Sequence, residues 1–150
     1  MRRWFEQAQV DAFACSHTCV PVFHRLPMTG RAVTPMVLNN GATGMPNFRG
    51  DGAGLFTRIA VRPFSAQGAG PASASRYGLR AGQAHIDAIA VDSAGPLWHQ
   101  QFLQQWPPGS DAHESYAARI HQGPAYTPQQ ALVTSPEGYG GQVRPGEYSG

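Results

Sequence analysis

Two apolar runs, Phe13–Cys15 and Val33–Leu38, each break off into a cluster of small and polar residues. The first is followed by Ser16-His17-Thr18-Cys19, the second by Asn39-Asn40-Gly41-Ala42-Thr43-Gly44. Neither run alternates between apolar and polar positions, so both read as strands buried on two faces, the first over 12–16 and the second over 33–38. Pro35 is a blemish in the second and favours a bulge or an edge position. Polar residues just beyond the ends of buried strands are where open α/β sheets place their sites.

The flanking pattern is consistent with an α/β chain. Over residues 2–10, Trp4, Phe5, Ala8 and Val10 come within helical reach of one another, and Arg2, Arg3, Glu6 and Gln7 fall opposite, which predicts a short amphipathic helix ended by Asp11. Val22-Phe23-His24, set among Pro21, Pro27 and Gly30, allows only a short or edge strand. Residues 39–54 form a loop punctuated by glycine. Leu55–Arg62 alternates, with Phe56, Arg58, Ala60 and Arg62 on one face and Leu55, Thr57, Ile59 and Val61 on the other. This predicts a half-buried strand with antiparallel neighbours. Residues 63–82 read as a flexible Ser/Ala/Gly-rich connection, and His85–Val91 as a further strand. Ser93 or Gly95-Pro96 can start a helix that gathers Leu97, Trp98, Phe102 and Trp106, and Pro107-Pro108-Gly109 stops it. Ser110 or Asp111 can cap a second helix to about Ile120, with Glu114 placed for a capping box. Gln129–Val133 adds a last turn. The domain is expected over 1–133, with 134–150 a disordered tail.

Composition narrows the function classes. The 150 residues suit one domain with a lean core. All 11 basic residues are arginine and the net charge is only +2, so the electrostatic footprint of a nucleic-acid binder is missing. No apolar stretch approaches the ~20 residues that span a bilayer, and the N-terminus does not read as a signal peptide. A cytoplasmic protein without membrane partners is expected. The two cysteines, Cys15 and Cys19, would lie ~13 Å apart in an extended segment, too far for a disulfide. Cys15 is expected as a buried thiol.

His17 and Cys19 form an i, i+2 pair at a strand end. In an extended segment both side chains point the same way, ~6.6 Å apart along the backbone. Metals of a hydrolytic pair sit ~3.5–4 Å apart with ligand bonds of ~2 Å, so such a pair can serve both. On spacing alone the plainer reading prevails, with His17 a hydrogen-bonded histidine and Cys19 a small apolar filler. His24 is a surface histidine, and His85, His99, His113 and His121 have no partner at ligand spacing. Asp111, His113 and Glu114 fit a capped helix start. Arg58 and Arg62, on one strand face, can meet phosphate, although solvated strand charge is the commoner case.

Ser16-His17-Thr18-Cys19 resembles the Gly-His-Thr-His element of the calcineurin-like metallophosphoesterases, which ends a strand after a helix. Asn39-Asn40-Gly41-Ala42 is similar to the family's Asn-Pro-Gly-Ser turn, and NNGATGMPNF to a bacterial subgroup reading Asn-Asn-Gly-Ala-Ala-Gly-Met-Pro-Asn-Phe. The next strand, with Thr57-Arg58-Ile59, agrees, and the matches run in order over about residues 1–62. The resemblance implies the C-terminal portion of a layered α/β fold, a β-sheet sandwich flanked by helices. It implies His17 as ligand to one metal, Cys19 in place of the histidine that binds the other, and Asn39, Asn40 and Gly41 as a supporting turn. A thiolate suits Zn²⁺ or Fe better than Mn²⁺.

The family's Asp-x-His, Gly-Asp-x-x-Asp and Gly-Asn-His motifs do not occur in this chain. The resemblance therefore implies the C-terminal half of an enzyme that hydrolyses phosphate esters at a two-metal site of Mn, Fe or Zn, inactive by itself. Its implied partner is a missing N-terminal half or a second copy of itself, and an in-frame segment upstream of Met1 carrying the three motifs would mean a truncated gene or a mis-called start. Two other readings stand beside it. One is a non-catalytic remnant serving as an interaction module. The other, ranked last, is a structural zinc module built on Cys15, His17, Cys19 and His24.

Overall fold

The computed structural model describes residues 1–65, 74–92 and 95–133. Over these residues the chain is mixed α/β, with two sheets and four helices. Helix α1 (Arg2–Ala8) stops where Gln9 turns left-handed, at φ 52°. The first sheet takes β1 (Ala12–Cys15), β2 (Pro21–Arg25), β3 (Met36–Asn40) and β7 (Leu132–Val133) in the order β1-β3-β2-β7. The second takes β4 (Ala53–Ala60), β5 (Ser75–Ala81) and β6 (Ala84–Asp92) as an antiparallel β4-β6-β5 sheet. Helices α2 (Pro96–Gln105), α3 (Asp111–Gln122) and α4 (Pro128–Ala131) follow.

The core lies between the sheets. Phe23, Met36 and Leu38 of the first meet Leu55, Tyr77, Leu79, Ile86, Ala88 and Ala90 of the second, with Phe48 and Ala131 completing the cluster. On β4, β5 and β6 these are every second residue, the period of side chains on one sheet face. The rings of Phe23 and Tyr77 meet edge to face, 4.9 Å apart. Burying a leucine such as Leu38 stabilises enough that truncation to alanine costs about 2–5 kcal/mol.

Several expectations are corrected. The run 12–16 is not buried on two faces: β1 is an edge strand whose last two residues, Ala14 and Cys15, are exposed. The run 33–38 becomes a strand only from Met36, because Pro35 has no N–H for the ladder; its carbonyl still accepts from Leu26 N–H at 2.7 Å. In α1 only Phe5 is buried, against Phe13, and Trp4 faces out. The stretch 63–82 is not all connection, since its end forms β5. Residues 66–73 and the expected tail 134–150 lie outside the described residues, as does Ser93.

Other expectations are met. β4 has the antiparallel neighbour its alternation predicts, although Ile59 and Val61 beyond the core are 51% and 78% exposed. Gly95 and Ser110 are the N-caps of α2 and α3, and Ser110 accepts from His113 N–H. With Ser110 as cap, the third helical position is His113, so Glu114 falls one residue beyond the place a capping box needs. Gln130 accepts from Thr127 N–H instead, at the start of α4. Among the described residues no helix is long and apolar enough to cross a membrane.

Candidate metal-site rim

β1 and β3 pair in parallel, with Ala12 opposite Met36 and Cys15 opposite Asn39. Their carboxyl ends therefore coincide, and the turns that follow lie side by side. Asn39, 3% exposed, ties them together. Its Nδ2 donates to Ser16 O at 3.3 Å and to Cys15 Sγ at 3.4 Å, and its Oδ1 accepts from Gly41 N–H at 2.9 Å. The Cys15 thiol also donates to Leu38 O at 3.3 Å. Cys15 is thus an exposed residue whose sulfur is engaged in this network, not the buried thiol expected.

The turn after β3 is close-packed. Asn47 is fully buried, its Oδ1 accepting from Ala42 N–H at 2.8 Å and its Nδ2 donating to the Ala42 and Met45 carbonyls at 2.6 and 3.1 Å. Gly41, at φ 74°, passes so close that a Cβ there would lie 2.2 Å from Asn47 Oδ1 and 2.9 Å from Pro21 Cδ. Only glycine meets both requirements. Asn40 points elsewhere: its Nδ2 donates to Leu55 O at 3.4 Å, beside a 3.0 Å bond from the Thr43 hydroxyl to the same carbonyl. Of the three expected turn residues, Asn39 and Gly41 hold the turns after β1 and β3 and Asn40 bonds to β4.

The turn after β1 differs from expectation. His17 and Cys19 have φ of 85° and 55°, so residues 16–20 are not extended and the common-face geometry does not hold. His17 is exposed and Cys19 half-buried. Arg119 of α3 donates from Nη2 to the Cys19 carbonyl, 100 residues away in sequence. Positive φ in non-glycine residues costs roughly 1–2 kcal/mol each and is kept only where surrounding structure enforces it. Such positions cluster at functional sites.

The donors fit part of a metal site. Imidazole and thiolate both bind Zn²⁺, which takes four ligands, and His17 and Cys19 provide two at most. Among the described residues no three His, Cys, Asp or Glu side chains come together as a metal-holding group. Cys15, His17, Cys19 and His24 are not brought together as such a group among the described residues. His24 stands opposite Val37 within the β2–β3 ladder.

The other candidates resolve into structure. Arg58 Nη1 meets the fully buried Asp87 carboxylate at 3.1 Å, and its Nη2 donates to Arg62 O at 3.0 Å. It is neither a solvated charge nor free for phosphate. Asp111 and Glu114 lie in the first turn of α3, as a capped start predicts. The rings of His99 and His121 come within 5.0 Å, a pairing that sequence spacing did not expose. Asn47 and Arg119 were also missed. Asn47 lies inside the stretch carrying the resemblance, whereas nothing local marks Arg119.

Comparison with known proteins yields no match: no family model matches this chain, and neither does any curated protein or solved structure.

Proposed function

We propose that this chain provides the C-terminal half of a metallophosphoesterase-type domain, with its metal-site rim at the carboxyl ends of β1 and β3. The observation that carries this reading is the Asn39 network. It joins two turns, 23 residues apart, that separately resemble two elements of one family's site. A metal pair bound there would supply hydroxide for phosphate-ester hydrolysis and neutralise charge on the phosphoryl oxygens. His17 would ligate one metal and Cys19 the other, Zn²⁺ or Fe before Mn²⁺. Asn39 and Gly41 would hold the rim in place through the backbone. The Cys19 thiol must lose its proton on binding, so affinity rises with pH.

Among the described residues β1 pairs on one side only, with β3. Its open edge offers main-chain groups to a further strand, whether from the N-terminal half or a second copy. The same edge favours the second reading, a partner-dependent module without catalysis of its own.

Equilibrium dialysis of the chain against Zn²⁺ tests the rim. Weak binding that strengthens from pH 6 to 8 is expected, and His17→Ala and Cys19→Ala should each reduce it about tenfold or more, at least as much as losing a supporting residue does. Binding that neither substitution changes would remove the metal reading. Without the absent motifs, no turnover of phosphate mono- or diesters above background is expected with Mn²⁺, Zn²⁺ or Fe²⁺. Metal-dependent turnover abolished by His17→Ala would mean that the chain holds a complete site.

A further inference from the structure

The end of the first sheet remote from Asn39 carries a second polar feature, which does not depend on the metal reading. β2 finishes at Arg25, directly opposite the first residue of β3, Met36. The β5–β6 hairpin of the other sheet turns at Gly82, with φ 57°, and a Cβ there would stand 3.2 Å from Val33 Cγ2. Between these segments lies a cavity of about 120 Å³ whose wall includes Arg25, Thr34, Met36, Arg80 and Gly82.

Both charged residues of that wall are arginines, Arg25 half-buried and Arg80 exposed, and among the described residues no acidic residue lines it. Arg25 Nη2 donates to the Arg80 carbonyl at 3.1 Å, and Arg80 Nε donates to the Gly82 carbonyl at 2.9 Å. These are bonds to neutral acceptors. Three other arginines, Arg31, Arg58 and Arg76, each meet an aspartate, the last through both Nε and Nη2, whereas Arg119, like Arg25 and Arg80, donates to a carbonyl. Among the described residues Arg25 and Arg80 have no such counter-charge. Each guanidinium carries five N–H donors, and these carbonyl bonds engage one apiece. Two positive groups on one cavity repel each other until an anion is placed between them.

We propose that this cavity binds a phosphate-type oxyanion, held by Arg25 and Arg80. The guanidinium fork matches the oxygen spacing of phosphate in a way that a point charge does not. Size sets the rest of the ligand. At about 120 Å³ and half open to solvent, the cavity is of a size for one tetrahedral oxyanion. It is below the ~300 Å³ of pockets that enclose a whole small molecule. Any group esterified to the phosphate would lie in solvent.

Titration of the chain with inorganic phosphate, at low ionic strength and with a chelator present, tests this. The chelator removes any contribution from metal at the other end of the sheet, so failure here and failure of the metal reading are distinguishable. Saturable one-to-one binding is expected, weakened at least tenfold in Arg25→Gln and in Arg80→Gln and unchanged in Arg62→Gln. Arg80→Lys should retain the fold and still lose most of the affinity, because the fork is gone. Glycerol phosphate binding as tightly as inorganic phosphate would identify an esterified ligand, and much weaker binding would identify the free ion. Thermal midpoints within a few degrees of the parent guard against misreading an unfolded variant. Non-saturating binding, or equal losses in Arg62→Gln and the cavity variants, would overturn the proposal.

Discussion

The turns after β1 and β3 are neighbours built by opposite means. The turn after β3 is held from within, by the Asn47 side chain against its own backbone and by a glycine with no room for a Cβ. It continues into Phe48, whose ring packs in the core 6.1 Å from that of Tyr77. The turn after β1 is held from outside, by Asn39 on the Ser16 carbonyl and Arg119 on the Cys19 carbonyl. Its side chains reach solvent, and two of its residues occupy left-handed backbone without being glycine. The first arrangement is a scaffold. The second is a set of presented side chains, with local strain sustained by contacts distant in sequence.

The largest effect should come from Gly41→Ala, which attacks the scaffold directly. A left-handed penalty, an overlap with Asn47 and the loss of Asn47's bonds together predict roughly 3–5 kcal/mol of destabilisation, read from the urea midpoint. A cost below about 1 kcal/mol would show that this turn is as adaptable as its neighbour.

Asn39→Ala should cost less, about 1–3 kcal/mol, by leaving the Gly41 N–H and the Ser16 carbonyl unpaired. Because it uncouples the turns, amide exchange should accelerate over residues 16–20 more than over 41–47. Equal acceleration in both would dissolve the distinction.

Reversing the sign sharpens the comparison. His17→Gly removes an exposed side chain from a residue at φ 85° and should stabilise the fold by up to about 1 kcal/mol, relieved strain outweighing the added freedom of the unfolded chain. Destabilisation would mean that the His17 side chain itself supports the turn.

The smallest effect at neutral pH belongs to Tyr77, the core residue behind the scaffold turn. Burial, and secondarily the neighbouring Tyr126, raise its phenol pKa far above the ordinary value of 10.0. Burial also raises that of Tyr126. A phenol that keeps its proton longer in the folded state contributes stability that is complete below pH 10 and is lost as pH rises towards the folded-state value. Stability should therefore fall above pH 10, and Tyr77→Phe should flatten most of that fall. Tyr77 Oη is buried with no hydrogen-bond partner among the described residues, so at pH 7 the substitution should change stability by no more than about 1 kcal/mol. A steep unchanged slope in Tyr77→Phe would assign the effect to Tyr126.

Much of the local structure was legible. The helix at 2–8, the antiparallel company of β4, the strand at 84–92 and the Ser110 cap follow from periodicity and helix-end chemistry, which act over a few residues. β5 was hidden although Tyr77, Leu79 and Ala81 do alternate with Arg76, Gly78 and Arg80. Gly78 and the small residues ahead of it weakened the pattern, and burial on β6 decides the strand. The small polar clusters beyond the ends of β1 and β3 were legible as well, but the geometry of the turns was not. An extended 16–20 would have placed His17 and Cys19 on one face, and the backbone turns left-handed at both.

Local sequence is enough to say where much of the chain turns and which residues can do so: Gly41 in its glycine-punctuated loop, the prolines at strand borders, and the small polar clusters after β1 and β3. These are properties of single residues and their neighbours. Only the tertiary structure decided that β1 lies parallel to β3, that Asn39 reaches Ser16, and that Arg119 holds the Cys19 carbonyl. It also decided that Arg31, Arg58 and Arg76 meet aspartates and that Arg25 and Arg80 line one cavity. Each of these depends on a partner 20 to 100 residues away, and no local preference encodes the pairing, because it is selected by the shared burial of Phe23, Leu38, Leu55 and Ile86 between the sheets.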